Sequence, residues 1–128
     1  MGMIALANRD QGTDETRMEI EKFTDVTVHA KANVYFGGGV VSHTLVFQNG
    51  ERKTVGVILP GSYHFGTKLA ERMEIIEGEA EVHLDGGERP THHASGHESR
   101  SFDVPSDSGF TITVSGKPCH YVCSFLAE

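Results

Sequence analysis

GSYHFGTKLAERMEIIEG, residues Gly61 to Gly78, is the stretch whose reading decides the fold. Pro60-Gly61 marks a turn, after which Tyr63 and Phe65 alternate with His64 and Gly66. Glu71 opens a second run, Met73 and Ile75 follow at spacing two, and Gly78 closes it. Side chains two apart share one face of a strand. Glu71, Met73 and Ile75 therefore point the same way. A carboxylate on the face used by Met and Ile points into a sheltered interior. Burying such a charge is costly unless it is paired or hydrogen-bonded. A ligand is a candidate for the partner. Pairing with Arg72 or Lys68 at a strand edge is the plainer alternative.

The β signals continue on both sides of this stretch. Val26 and Val28 alternate with Thr27 and His29. Val34-Tyr35-Phe36 leads into Gly37-Gly38-Gly39, where backbone can turn sharply or approach a ligand. Val41 to Phe47 reads as a strand, Gln48-Asn49-Gly50 as a hairpin, and Arg52 to Leu59 as its return. In Glu79 to Leu84, Ala80, Val82 and Leu84 take one face while Glu79, Glu81 and His83 take the other, the pattern of a sheet with one wet side. Asp85 to Ser101 is a long polar stretch carrying His92, His93 and His97. Pro90, Ser95 and Gly96 argue against a helix there, and a solvated loop is expected. Phe102 to Pro105, Phe110 to Val114 and Cys119 to Leu126 complete the series. Some eight or nine short strands separated by turns predict an all-β sandwich or jelly-roll barrel.

The chain has 128 residues, 15 of them Gly, no Trp, and a net charge of −7. That length suits one domain, which is expected over residues 23–128. Residues 1–22 read as an extension, in which Thr16-Arg17-Met18-Glu19 fits a capping box from which a short helix could start. No run is apolar for long enough to cross a membrane as a helix. The N-terminus lacks the basic and apolar regions of a secretory signal. Cys119 and Cys123 form neither a metal-binding quartet nor a disulfide framework, so reduced thiols in a cytoplasmic protein are expected. The acidic balance argues against nucleic acid as a partner, since affinity for phosphodiester chains comes from clustered Lys and Arg. It leaves room for one small anion held by a local cation.

Gly61, Glu71 and Gly78 occupy the glycine, glutamate and glycine slots of a motif that resembles the first motif of the cupins. Phe102-Asp103-Val104-Pro105-Ser106-Asp107-Ser108 resembles the second, around its proline. Within the cupins the chain is most similar to the small pyrimidine/purine nucleoside phosphorylase family, from about Tyr35 to Leu126. The carriers are Tyr35-Phe36-x-Gly38, Arg52-x-x-Val55-Gly56-Val57, Pro60-Gly61-x-Tyr63-x-Phe65, Glu71-x-Met73, Ile76-x-Gly78, Phe102-x-Val104-Pro105, Ser108-x-Phe110 and Tyr121-x-Cys123. Two departures stand out. The slots that hold His-x-His in metal-binding cupins hold Thr67 and Leu69 here, and neither binds metal as imidazole does. The 85–101 loop is longer and richer in histidine than the resemblance implies, and Ser99 stands where a glycine is usual.

The resemblance implies a cupin-type jelly roll that uses no metal or other cofactor and pairs as a homodimer. It implies phosphorolysis, in which a nucleoside and inorganic phosphate become free base and ribose 1-phosphate. Cleavage of the glycosidic C–N bond calls for an oxocarbenium-like transition state. Phosphate needs Arg or backbone N–H groups, the ribose hydroxyls need a fixed acceptor, and the base needs a flat surface. Glu71 is the candidate acceptor for the ribose hydroxyls. Arg52 is the candidate for phosphate, with Lys53 and Lys68 as rivals. Its strand alternates so that Arg52 lies opposite Val55, Val57 and Leu59; if those valines face the core, Arg52 faces outward. Tyr35, Phe36, Tyr63, Phe65 and Phe102 are candidates to stack on the base, with about two of the five expected at the ligand. Tyr121 and Ser108 are candidate polar contacts. A metal-dependent cupin dioxygenase or isomerase and a sugar- or nucleotide-binding cupin without activity are the alternatives.

Overall fold

The computed structural model describes residues 20–126. In it the chain runs through β1 (Thr27–Val28), β2 (Asn33–Tyr35), β3 (Val40–Val46), β4 (Arg52–Ile58), β5 (Gly61–Gly66) and β6 (Glu71–Glu77). It continues through β7 (Glu79–Leu84), β8 (Thr91–Ala94), β9 (Ser101–Val104), β10 (Gly109–Val114) and β11 (Cys119–Phe125). Single 3-10 turns at Phe36–Gly38 and Glu98–Arg100 are the helical elements among the described residues. The helix expected from Thr16 lies outside those residues. No described helix is long and apolar enough to cross a membrane.

The strands form two antiparallel sheets. The larger has the order β1-β3-β4-β11-β6-β9 with β2 also pairing β3, and the smaller has the order β5-β10-β7-β8. Their inner faces pack together as a cupin-type jelly roll. Ile58, Ile75 and Cys119 from the large sheet meet Val82, Phe110 and Ile112 from the small one in a single apolar cluster. Each such aliphatic or aromatic side chain, fully withdrawn from water, contributes about 1.5–3 kcal/mol.

Local sequence explains the joints. The Gln48-Asn49-Gly50 turn forms as expected, with Gly50 at φ 90° and its N–H bonded to Phe47 O at 2.9 Å. Gly78 carries the chain from the large sheet to the small one in a single residue. It has φ 93°, and a Cβ there would lie 3.0 Å from Pro118 O. Only glycine takes that conformation without strain.

Two local expectations are corrected. The 85–101 stretch is not one solvated loop, because β8 runs through it and pairs with β7. His93 is buried there, its ring 4.8 Å from Phe102, with Nδ1 donating to Ser99 O at 2.7 Å and Nε2 2.7 Å from Thr91 Oγ1. The sidedness of β4 is also the reverse of what its valines suggest. Thr54 and Ile58 face the interior, and Val55 and Val57 stand on the outer face. Arg52 therefore shares the parity of the inward-facing residues.

Candidate active site

One end of the barrel is not filled. A cavity of about 190 Å³ opens between the sheets, lined by Tyr35, Ser42, Thr54, Glu71, Tyr121, Cys123 and an apolar floor that includes Met73 and Phe110. Pairing puts these groups together. Cys123 lies opposite Met73, and Phe125 lies opposite Glu71, in the β11–β6 ladder. Cys123 also faces Thr54 across the β11–β4 ladder. Glu71 begins β6 on its inward face, as its alternation with Met73 and Ile75 predicts.

Glu71 is half-buried, and its described partner is a thiol. Cys123 Sγ donates to Glu71 Oε1 at 3.5 Å. Burial raises the Glu71 pKa above the ordinary carboxylate value, and the weak bond from Cys123 opposes that only in part. Arg72 does not neutralise it. That side chain points out of the barrel and pairs with Asp103 at 2.8 Å. Burial likewise pushes the Cys123 thiol and the Tyr121 hydroxyl up, so both are protonated donors at neutral pH. Tyr121 bonds Ser42. Asn33 Nδ2 donates to Ser42 Oγ and Thr44 Oγ1, both at 3.2 Å, which holds the hydroxyl row of β3 in place. The cavity thus offers one carboxylate among neutral hydroxyls and a thiol, an arrangement suited to a ligand rich in O–H groups.

Of the residues singled out from sequence, Tyr35, Phe65, Glu71 and Tyr121 line this cavity. Phe36 does not line it but packs on the lining residue Phe65, ring to ring at 5.3 Å. Tyr63 packs behind Phe36, and Phe102 packs between His93 and Phe110; neither lines the cavity. Ser108 lies away from it, and its backbone is engaged by Thr67. Arg52 is exposed in a neighbouring depression of about 520 Å³ that shares Phe125 with the cavity wall. No Lys or Arg is among the described residues lining the cavity itself.

Ser42, Thr54, Cys123 and Phe125 are the wall residues that sequence reasoning missed. Ser42 and Thr54 carried no local signal, since the inward-facing positions of their strands, Val40, Ser42, Thr44 and Val46 in β3 and Arg52, Thr54, Gly56 and Ile58 in β4, read as a mixed rather than an apolar face. The position that holds the first metal-ligand histidine in metal-binding cupins is spent on structure here. Thr67 is buried, Oγ1 donates to Pro105 O at 2.7 Å, and it accepts from Ser108 N at 3.0 Å. Leu69, in the second slot, is exposed. No group of three His, Cys, Asp or Glu with metal-binding geometry occurs among the described residues.

Fold and site together define a small cupin whose interior presents a carboxylate and hydroxyls where metal-binding cupins present histidines. The chain belongs to the pyrimidine/purine nucleoside phosphorylase family, whose sequence profile matches residues 30–125. It is 49% identical over 105 residues to the pyrimidine/purine nucleoside phosphorylase of Aromatoleum aromaticum, covering 82% of this chain and 95% of that one. A protein of the same name from Nocardia farcinica is 47% identical over 106 residues, covering 83% and 99%. Among solved structures, a protein of unknown function from Acinetobacter is 42% identical, with a TM-score of 0.77 over 82% of this chain and 98% of that one.

Proposed function

We propose that this protein is a phosphorylase of purine and pyrimidine nucleosides, releasing free base and ribose 1-phosphate. The observation that carries the reading is the half-buried carboxyl of Glu71 in the wall of a hydroxyl-lined cavity in a chain of this family. Ionised Glu71 accepts hydrogen bonds from the ribose hydroxyls and favours the positive charge that develops on the sugar. Arg52, on the inward parity of β4 and beyond Phe125, holds phosphate against the anomeric carbon. The C1′–N bond breaks with its electron pair leaving on the base, which takes a proton from water, and a phosphate oxygen forms the new C1′–O bond. No protein nucleophile is needed, because the bound anion attacks, and placement supplies much of the rate.

The test is incubation with uridine, inosine and adenosine, with and without phosphate, following release of base. Release that requires phosphate is expected. Release without phosphate would make the protein a hydrolase, and nucleoside binding with no release would make it a binding module. Homodimer formation is part of this proposal. Val41, Val55, Val57 and Ile76 line an apolar groove of about 540 Å³ on the outer face of the large sheet, and a second copy would cover it. Light scattering that gives the 13.9 kDa mass of one chain at micromolar concentration would refute the dimer.

A further inference from the structure

The cavity constrains where a nucleoside can lie. Pockets that enclose drug-sized ligands usually measure about 300–1,000 Å³. At about 190 Å³ this one has room for a sugar and not for a sugar with its base. If the ribosyl group is inside, as the proposed reaction requires, the base rests outside against the rim.

Next to the cavity-wall residue Tyr35 the chain takes a conformation that L-residues avoid. Among the described non-glycine residues, positive φ occurs at Asp25, Phe36 and Asp107. Aspartate visits that region because its side chain can bond locally, whereas a bulky residue there is a true outlier. Phe36 has φ 54°, followed by Gly37 at 65° and Gly38 at 112°. In a continuing strand Tyr35 and Phe36 would point to opposite faces. The left-handed turn brings both rings onto the same Phe65, at 5.6 and 5.3 Å. Neither ring is thereby buried, since Tyr35 remains 43% and Phe36 53% exposed. The strain therefore does not serve the core.

Behind Phe36 the structure is closely packed. Tyr63 packs 5.1 Å from it, and the Tyr63 hydroxyl donates to Leu59 O at 3.0 Å. The Tyr63 ring fits only because Gly39 and Gly61 have no side chain. A Cβ at those positions would lie 2.8 and 2.6 Å from Tyr63 atoms. An exposed aromatic in strained backbone, braced from behind and packed on the cavity-wall ring Phe65 beside the wall residue Tyr35, has the attributes of a ligand platform.

We propose that Phe36, flanked by Tyr35, is the surface on which the nucleobase lies, and that it binds purines and pyrimidines alike through their ring faces. Phe36→Gly and Phe36→Asn test this, because both residues accept the left-handed backbone and remove only the ring. Phe36→Trp keeps a flat face. Nucleoside affinity is read by calorimetry without phosphate, and KM by turnover. Phe36→Gly and Phe36→Asn are expected to weaken uridine, inosine and adenosine binding by comparable factors, roughly five- to a hundredfold. The KM for ribose 1-phosphate in the reverse direction should stay within about twofold in the same variants, since that ligand has no base to stack. Phe36→Trp should bind within about threefold of wild type. Unchanged nucleoside affinity in Phe36→Gly, or an equal loss for ribose 1-phosphate, overturns the proposal. Wild-type protein that binds nucleosides in a Phe36-dependent way without turnover would overturn the phosphorylase reading and leave the platform standing. Wild-type protein that binds no nucleoside overturns both.

Discussion

Replacing Glu71 with Gln keeps the shape of the cavity and removes its one carboxylate. A sphere of 190 Å³ has a radius of about 3.6 Å, so a ribosyl group inside lies within about 5 Å of the Glu71 carboxylate at the wall. At an effective dielectric of about 20, a full charge on the sugar at that distance is stabilised by about 3 kcal/mol. Hydrogen bonds to a charged acceptor are roughly twice as strong as neutral ones, which adds about 1 kcal/mol for each of two hydroxyls. Together these reach about 5 kcal/mol, so kcat/KM for uridine should fall by about a thousandfold or more. The same substitution should change stability in a pH-dependent way. Burial raises the folded-state pKa of Glu71 above its ordinary 4.5, so its carboxyl binds its proton more tightly in the folded chain than in the unfolded one. The stability this confers is complete below the unfolded value and is lost as pH rises through the folded value. Gln does not titrate. Glu71→Gln should therefore melt higher than wild type at pH 8, and the difference should vanish below about pH 4. Wild-type turnover should fall on acidification, with a midpoint above 4.5. Steady-state kinetics and thermal melts across pH provide the check. A variant that keeps more than a tenth of wild-type kcat/KM, or that is less stable than wild type at pH 8, would show that Glu71 is not a buried carboxylate acting on the sugar.

Thr67→Val should cost about 2–4 kcal/mol, because it strips two buried hydrogen bonds and leaves Pro105 O and Ser108 N without that partner. That is roughly a 10 °C fall in Tm for a chain of this size, and a loss below about 2 °C in a thermal melt would refute the clamp. Both cysteines are free and buried, and burial pushes the Cys119 thiol up to about 11 and the Cys123 thiol up further. Neither should react with a thiol reagent at pH 8 within minutes unless the protein is denatured. Rapid labelling of native protein would refute the burial of these thiols and the raised pKa that follows from it.

The sequence by itself determined the all-β class, the two-residue alternation that turns Glu71 inward with Met73 and Ile75, and the turns at Gly50 and Gly78. These are short-range properties. A strand's two faces follow from its period, and a turn follows from which residues accept positive φ. The tertiary structure decided which face of each strand is inside. Apolar content misled at β4, where Val55 and Val57 cover the outer face while Thr54 lines the cavity, because the barrel interior here is a polar site as well as a core. It also brought Cys123 to Glu71 across 52 residues, through the β11–β6 ladder. Register between distant strands is set by the packing of whole sheets, so no local pattern around either residue encodes that contact. Phe36 shows both limits together: its aromatic character was plain in the chain, whereas its left-handed backbone and its contacts with Tyr63 and Phe65, which set where the ring stands, are read only from the folded structure.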